Sequence, residues 1–477
     1  MKIHLTILLI IGLNTSVLSQ SKPNIIVIFT DDQGYADLGV QGSVDDIKTP
    51  NLDELAANGV RMTSGYVTAP QCIPSRAALM TGRYQQRFGT DHNGTIPVPL
   101  EEVLISQRLS EAGYVTGMTG KWHLEPNHQQ PEWIRENIPA IKEKDHYMPS
   151  DIPLDKKMPY YPPARGFQEY YYGPMYNILA NYDLRGNSIE QQWLEESGFR
   201  LDNQTNAAVT FIERNKDQPF FFYLPYFAPH VPLEATEKYL ARFPGDMPER
   251  RRYCLAMMAA IDDGVGKITQ TLKKHGIYEN TLIFFISDNG APLKIHKEDI
   301  PLTHKGGAWD GSLNDPWVGE KGMISEGGIR VPFLMSWPAV LPKGKVYDRP
   351  VISLDMAATA VELAGVEKPK ELDGINLIPY LTGEKEGDPH DALFWRFWDQ
   401  AAIREGNFKY LSAGEREFLF DVSTTEHETK NLIDEFPKKA KSLRKKLDNW
   451  AKKLKDPGIP EGPISREKKW YDHYFQF

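Results

Sequence analysis

The sequence predicts an α/β protein in which a large, mainly parallel sheet is flanked by helices. Apolar runs of strand length alternate with helical patterns along the chain, and polar residues cluster directly after the runs. A continuous apolar run is typical of a strand buried on both faces, and alternation with helices is typical of a parallel sheet. The predicted strands are residues 24–30, 220–226, 281–287 and 331–337.

The helices between these strands are predicted from their end residues and from helical periodicity. Pro50 is favoured in the first turn of a helix, and Asn58 with Gly59 ends the same segment. Further helical patterns cover residues 101–112 and 253–275. These segments supply the helices that cover the predicted sheet.

A smaller subdomain is predicted after a change of composition near residue 374. Strand patterns with turn residues between them cover 393–397, 401–412 and 418–422, which predicts an antiparallel sheet. The last helix has one apolar stripe, and its other faces carry many lysine and arginine residues. Those basic faces are typical of a solvated helix, with docking on a polyanion as the alternative. The stripe is formed by Leu443, Leu447, Trp450 and Leu454.

The first twenty residues have the pattern of a secretory signal peptide. Lys2 is followed by an apolar run over residues 5–13 and by small residues at 17–19. The run is too short for a membrane span, which needs about 20 apolar residues. We expect export to the periplasm or the medium, without a stable membrane span. The predicted division is a signal peptide (1–19), a large domain (20–375) and a C-terminal subdomain (376–477).

Composition excludes several classes of protein. The 477 residues are 41% hydrophobic and 25% charged, which is typical of a globular chain. The formal charge of −9 argues against nucleic acid as a partner, because nucleic-acid binders carry a basic excess. The two cysteines, Cys72 and Cys254, cannot form a disulfide framework. A single bridge between them would consume Cys72, which the function inferred below requires.

Oxygen ligands follow two of the predicted strands. Asp31 and Asp32 come after strand 24–30, and Asp288 and Asn289 come after strand 281–287. Binding sites of open α/β sheets form at the carboxyl ends of strands. Two buried carboxylates repel each other unless a cation intervenes, and oxygen ligands select Ca²⁺ or Mg²⁺. Taken singly, Asp31 and Asp32 are equally consistent with a helix cap or a turn.

Cys72 lies where a loop enters a helix, a position that suits an anion because unpaired N–H groups point outward. A buried structural cysteine is the alternative. The sequence resembles the type I sulfatases, whose C-x-P-S-R signature matches Cys72-Ile73-Pro74-Ser75-Arg76 and is followed by Thr81-Gly82-Arg83. Further matching blocks are Asp31-Asp32-Gln33-Gly34, Gly120-Lys121-Trp122-His123, Pro229-His230-Val231-Pro232, Ser287-Asp288-Asn289-Gly290, and Lys321 followed by Glu326-Gly327-Gly328-Ile329-Arg330-Val331-Pro332. One departure is Glu125, where the family usually has glycine.

The resemblance implies an alkaline-phosphatase-like fold and a sulfuric ester hydrolase. In that family the cysteine is converted by a maturation enzyme, formylglycine-generating or radical, to formylglycine. Its hydrated diol, assisted by one Ca²⁺ on Asp31, Asp32, residue 72, Asp288 and Asn289, attacks sulfur. Arg76 and Lys121 are implied to bind the diol and sulfate, His230 with Lys321 to protonate the leaving oxygen, and His123 to deprotonate the diol. For each lysine or histidine alone, a structural role is the alternative.

The resemblance further implies a sulfated polysaccharide or oligosaccharide as substrate. Trp309 and Asp310 are candidate sugar contacts, with a tryptophan packed in the domain wall as the alternative. Two other functions stay open. A phosphomonoester or phosphonate hydrolase of the same superfamily would prefer phosphoryl substrates, and a catalytically inactive carbohydrate-binding homologue would lack the aldehyde at residue 72.

Overall fold

The structure is a computed structural model that describes residues 22–173, 175–303, 308–424, 427–459, 462–464 and 467–477. The predicted signal peptide, residues 1–19, lies outside the described residues. Within these ranges, none of the helices is both long enough and apolar enough to cross a membrane.

The described part of the chain contains strands and helices in alternation. The strands are β1 (Asn24–Asp31), β2 (Val60–Met62), β3 (Gly65–Tyr66), β4 (Val115–Gly120), β5 (Glu169–Tyr172), β6 (Asn177–Tyr182), β7 (Ser188–Glu195), β8 (Phe220–Pro229), β9 (Thr281–Ser287), β10 (Phe333–Ser336), β11 (Lys345–Tyr347), β12 (Val351–Ile352), β13 (Leu393–Phe397), β14 (Gln400–Glu405), β15 (Phe408–Ala413) and β16 (Arg416–Asp421). The helices are α1 (Pro50–Ala57), α2 (Cys72–Thr81), α3 (Ile105–Glu111), α4 (Pro131–Asn137), α5 (Leu154–Lys157), α6 (Arg200–Asn215), α7 (Glu237–Leu240), α8 (Glu249–Lys274), α9 (Glu326–Ile329), α10 (Leu354–Leu363), α11 (Ile378–Thr382), α12 (Pro437–Ala451) and α13 (Lys468–Tyr474).

The large sheet has a parallel centre with antiparallel pairs on both sides of it, and its edge strand β11 pairs parallel with β2. Its strand order is β11-β2-β10-β9-β1-β8-β4-β5-β6-β7. The neighbours β9, β1, β8, β4 and β5 are parallel, whereas β10 pairs antiparallel with β9. The predicted fold class, a mainly parallel sheet flanked by helices, is therefore confirmed. The strand predicted at 331–337 is shorter, at 333–336, and runs antiparallel.

Both faces of the central strand are buried, as its continuous apolar run predicts. Ile25, Val27 and Phe29 belong to one hydrophobic core, while Ile26 and Ile28 belong to another on the opposite face. Side chains alternate across a strand, so one short run supplies both cores. This strand is the centre of the molecule, and its carboxyl end carries the acidic pair.

The C-terminal part forms a separate antiparallel sheet in the order β13-β14-β15-β16, which confirms the smaller sheet and its helix. Residues 401–412 form two strands rather than one segment, because Gly406 has a φ of +57° and turns the chain. The stripe of α12 packs on this sheet, within the same hydrophobic core as one face of the large sheet. We propose residue 375 as the domain boundary.

Two predicted helices have different ends in the structure. The helix predicted at 101–112 begins at Ile105, because the Gln107 side chain accepts a hydrogen bond from the Leu104 N–H and caps the helix there. The helix predicted to be last ends at Ala451, leaves Leu454 outside, and is followed by α13.

A buried charge cluster joins the C-terminal sheet to α9. The Lys409 ammonium of β15 lies 2.9 Å from a carboxylate oxygen of Glu326 and 2.9 Å from one of Glu428, and none of the three side chains is exposed. Burial raises the pKa of Glu428 to about 7, whereas the charges of Lys409, Arg330 and Arg404 overcome burial and lower the pKa of Glu326 to about 2. The lysine therefore holds two carboxyl groups together in the core.

Lys409→Met should lower the free energy of unfolding by about 3–5 kcal/mol, because it removes the cation between two buried acids and leaves only Glu326 with an ion-pair partner, Arg330. The control variant Lys438→Met, at an exposed lysine of α12, should change the free energy of unfolding by less than about 0.5 kcal/mol. Chemical denaturation of both variants measures the difference. Equal free energies of unfolding for the two variants would show that the cluster does not stabilise the contact between the C-terminal sheet and α9.

Candidate active site

Four neighbouring parallel strands end at one edge of the large sheet and carry polar residues there. Asp31 ends β1, Lys121 follows β4, His230 follows β8 and Asp288 follows β9. Asp32, directly after β1, has a φ of +63° and turns the chain at this edge. Strand order thus brings together side chains that are far apart in the sequence.

The acidic residues form one compact cluster with Cys72. One oxygen each from Asp31, Asp32 and Asp288, together with the Cys72 sulfur, lie within 4.8 Å of one another. The three carboxylates are 0–1% exposed. Asn289 joins them through its Nδ2, which donates to Asp32 Oδ1 at 2.7 Å, while its buried Oδ1 has no hydrogen-bond partner among the described residues.

Three cations surround this cluster. Arg76 donates to Asp288 Oδ2 from Nη2 at 2.7 Å and from Nε at 3.1 Å. The Lys121 Nζ contacts both oxygens of Asp31 at 2.7 and 2.9 Å. The Lys321 Nζ contacts both oxygens of Asp32 at 2.6 Å. The formal charges of the three cations balance those of the three carboxylates, but the carboxylates still repel one another.

The pKa values of the acids show the remaining repulsion. Burial raises the pKa of Asp31, but the charges of Lys121, His230 and Arg76 outweigh burial and keep this pKa well below its ordinary value. Asp288 behaves differently, because burial together with Asp31 and Asp32 raises its pKa to about 7 despite Arg76. Three buried carboxylates beside an unpartnered amide oxygen are the donor set of a hard divalent cation. The predicted metal ligands therefore fit a bound cation.

Cys72 is the first residue of α2 and points into the cluster. Its sulfur lies 3.6 Å from Asp31 Oδ1 and 3.5 Å from the Lys321 Nζ, and the residue is 2% exposed. Burial raises the pKa of the Cys72 thiol despite Lys121 and Lys321, so the unmodified side chain is a protonated, poor nucleophile. Cys254 is also free and buried, inside α8.

The two predicted histidines both border the cluster. Burial, with the charges of Lys121 and Arg76, holds the pKa of His123 well below its ordinary value. Burial also lowers the pKa of His230, whose Nε2 lies 3.6 Å from Asp32 Oδ2. His230 Nδ1 faces the Val231 carbonyl oxygen at 2.5 Å and therefore carries the proton of the neutral ring. Both rings are neutral, so each has one nitrogen able to accept a proton.

A cavity of about 280 Å³ lies beside residues that contact the cluster. Lys121, His123 and His230 line it on the side of the cluster, and Trp122, Tyr172 and Phe227 supply aromatic surface. Glu125 and Arg200 add one acidic and one basic side chain. Tyr172, Phe227 and Arg200 were not predicted from the sequence, because no motif marks them and they lie on β5, β8 and α6.

The structure places Trp309 and Asp310 away from this cavity lining. Trp309 is 3% exposed, and its indole N–H donates to the Ser312 carbonyl at 3.1 Å. Its burial favours the alternative of a tryptophan packed in the wall. Asp310 is 1% exposed and lies near Asp32, whose charge adds to burial in raising the pKa of Asp310. A contact of either residue with a sugar stays a prediction.

Lys321 is held in place by the C-terminal region. The Gln400 side chain donates to the Gly322 carbonyl at 2.8 Å and accepts from the Ile324 N–H at 2.9 Å. The Tyr474 hydroxyl of α13 donates to Glu320 at 3.0 Å. Residues on both sides of Lys321 are thus hydrogen-bonded to β14 and α13, which fixes the position of its ammonium group.

Comparison with known proteins agrees with this geometry. Residues 23–366 match the family described as Sulfatase, and residues 317–456 match the one described as N-sulphoglucosamine sulphohydrolase, C-terminal. The chain is 32% identical over 414 residues to the uncharacterized sulfatase YdeN of Escherichia coli, with 80% of this chain and 70% of that protein covered. It is 32% identical over 410 residues to the N-acetylgalactosamine-6-sulfatase of Canis lupus familiaris, with coverage of 81% and 71%.

A solved structure supports the same conclusion. The crystal structure of Ps i-CgsB in complex with k-i-k-neocarrahexaose superposes with a TM-score of 0.74 at 31% identity. The match covers 95% of this chain and 97% of that one.

In unmatured protein, iodoacetamide should label the folded chain at least about a hundredfold more slowly than the denatured chain, because both thiols are buried and protonated. Ser197→Cys, at an exposed residue, provides the control and should label at the rate of a free thiol. Mass spectrometry of the alkylated peptides gives the rates. Rapid labelling of Cys72 in the folded chain would contradict its position in the cluster.

Proposed function

The chain belongs to the sulfatase family and is a sulfuric ester hydrolase, and from this premise we propose that it removes sulfate from a sulfated polysaccharide or oligosaccharide. The observation that carries the proposal is the convergence of Cys72, the carboxylate cluster and three cations, one of which, Lys121, also lines an adjacent cavity. A protein of net charge −9 binds an anion only where positive charge is concentrated, and this cavity is such a place.

We propose that residue 72 acts after conversion of its thiol to formylglycine by a separate maturation enzyme. Formylglycine supplies a hydrated carbonyl as nucleophile, which can release sulfate again by elimination, unlike a thiol or a hydroxyl. The raised pKa of the Cys72 thiol supports the need for conversion, because the unmodified side chain is not ionised. The position of Cys72 at the start of α2 adds backbone N–H groups that favour an anion.

The cations of the site are proposed to bind the sulfate group. Arg76 and Lys121 hold the nucleophile and the sulfate oxygens, and Lys321 lies 3.5 Å from the Cys72 sulfur, where it faces the reacting atoms. Negative charge grows on the leaving oxygen as the S–O bond breaks, so fixed positive groups stabilise the transition state more than the ground state. Their ion pairs with Asp31, Asp32 and Asp288 keep them oriented.

The two histidines are proposed to move protons. His123 has a lowered pKa and a buried Nδ1 that finds no partner in the described ranges, which suits a proton acceptor. His230 already carries its Nδ1 proton, so it must take up a second proton at Nε2 before it can protonate the leaving oxygen together with Lys321. The His123 side chain therefore serves as base and the His230 side chain as acid.

A single Ca²⁺ is proposed on Asp31, Asp32, residue 72, Asp288 and Asn289. When bound, the ion supplies Lewis-acid polarisation of the oxygen groups that it contacts. The raised pKa of Asp288 and the unpartnered Oδ1 of Asn289 support this assignment, since both conditions are relieved by a cation. The donor set contains no imidazole, which favours Ca²⁺ over zinc.

A carbohydrate substrate is supported by the relatives and by the cavity. The Canis relative is named an N-acetylgalactosamine-6-sulfatase, and the structure of Ps i-CgsB is of a complex with k-i-k-neocarrahexaose. Trp122 and Phe227 give the cavity of this chain flat apolar surface of the kind that packs on sugar rings. Such substrates are extracellular polymers, so we also propose that the chain is exported.

Cys72→Ala should lower kcat for 4-nitrophenyl sulfate by at least about a thousandfold, because the nucleophile is lost. The wild-type protein should hydrolyse 4-nitrophenyl sulfate faster than 4-nitrophenyl phosphate. After denaturation, matured protein should contain one titratable thiol, from Cys254, and unmatured protein two. Full turnover by the alanine variant would end the proposal, and a preference for phosphate would favour a phosphoryl hydrolase.

Removal of divalent ions with EGTA should lower both the activity and the unfolding temperature, because the three carboxylates then lose their cation. Ca²⁺ at about 100 times its dissociation constant should restore about 2.7 kcal/mol of stability. The Asp288→Asn variant is the control, and its unfolding temperature should respond less to Ca²⁺. Thermal unfolding measures the effect of Ca²⁺ on stability without relying on activity. An unfolding temperature that does not depend on Ca²⁺ would contradict the proposed Ca²⁺ site.

A further inference from the structure

One wall of the cavity carries two polar side chains that have no place in the proposed chemistry. Glu125 lies four positions after Lys121 in the loop that follows β4. Tyr172 is the last residue of β5 and pairs with Gly120, the last residue of β4. The parallel pairing of β4 with β5 therefore brings both side chains to the cavity beside the cation Lys121.

Both side chains present a polar atom that is buried and lacks a partner. Glu125 Oε2 and the Tyr172 hydroxyl make no hydrogen bond to any described residue. Tyr172 is 3% exposed, and it lines the cavity together with Glu125. Buried polar groups are normally hydrogen-bonded. A ligand that enters the cavity would supply the hydrogen bonds that these two groups lack.

The two side chains line the same cavity. Burial, followed by the charge of Glu125, raises the pKa of Tyr172. Tyr161 packs against Tyr172, with 5.8 Å between the two ring centroids. Burial and the charge of Glu125 raise the pKa of Tyr161 to about 12. The carboxylate and the phenol therefore share one polar spot on an otherwise aromatic wall.

The chemistry of this spot selects a hydroxyl group. A carboxylate oxygen accepts a hydrogen bond, a phenol both donates and accepts, and an alcohol can satisfy both at once. A second sulfate or a carboxylate on the ligand would be repelled by Glu125. The aromatic surface of Trp122 and Phe227 alongside is suited to the apolar face of a sugar ring.

We propose that Glu125 and Tyr172 bind a free hydroxyl of the sugar that carries the reacting sulfate, and that they thereby set substrate specificity. The inference rests on the proposed carbohydrate sulfatase function. The sequence adds its own support, because glutamate stands at position 125 where the resembling family usually has glycine. The residue is thus a feature of this chain rather than of the shared catalytic motif.

The test compares two substrates in three variants. The first substrate is chosen from a panel of oligosaccharides with defined sulfation, as the one that the matured wild-type protein cleaves fastest. The second substrate is 4-nitrophenyl sulfate, which has no sugar hydroxyl. Glu125→Gln and Tyr172→Phe should each lower kcat/KM for the oligosaccharide by roughly tenfold or more, mainly through KM. Both should keep kcat/KM for 4-nitrophenyl sulfate within about twofold. Glu132→Gln, at an exposed residue of α4, is the matched control and should change neither.

Three results would overturn the inference. Unchanged oligosaccharide cleavage by both variants would show that the pair does not contact the sugar. An equal loss on both substrates would assign the pair to the structure or to the chemistry instead. If the wild-type protein cleaves 4-nitrophenyl sulfate but none of the oligosaccharides, the carbohydrate function itself is overturned. This result differs from the other two because it is seen with the wild-type protein alone. The near-normal aryl sulfate rate also shows that each variant is folded.

Discussion

The repulsion among three buried carboxylates is the constraint on which the rest of the structure depends. Asp31, Asp32 and Asp288 are brought together by the parallel pairing of β1 with β9, and the pairing itself is driven by the apolar residues of those strands. The burial of these apolar residues therefore supplies the free energy that holds the three acids close together. Arg76, Lys121 and Lys321 balance the formal charge, but burial together with Asp31 and Asp32 still raises the pKa of Asp288, a condition that a divalent cation would relieve.

The sequence was sufficient to predict the parts that obey local rules. The continuous apolar runs gave the central strands, and the adjacent acids at their ends gave the cluster, because the carboxyl ends of parallel strands must meet. The cluster of Asp31, Asp32, Cys72 and Asp288 has the membership that the motifs predicted, apart from Asn289, which joins through Asp32. Long, strongly patterned segments carry enough information for this.

Other features depend on tertiary contacts and were beyond prediction from the sequence. Helix α3 starts late because of a single capping contact at Leu104, and α13 has no strong pattern of its own. Tyr172 and Arg200 reach the cavity only through strand order and helix packing, which a motif does not encode. The burial of Trp309 also depends on tertiary contacts, and its proposed contact with a sugar stays a prediction.

The covered position of Cys72 has a consequence for the order of events as the chain is made. A side chain that is 2% exposed at the start of α2 is out of reach of another enzyme once the sheet has closed around it. The proposed oxidation must therefore happen while the polypeptide is still open. The contacts of Gln400 and Tyr474 around Lys321 come from residues synthesised near the end, so the pocket is completed last. Slow translation of the final hundred or so codons would lengthen the interval available for maturation, whereas rapid folding would trap an inert thiol.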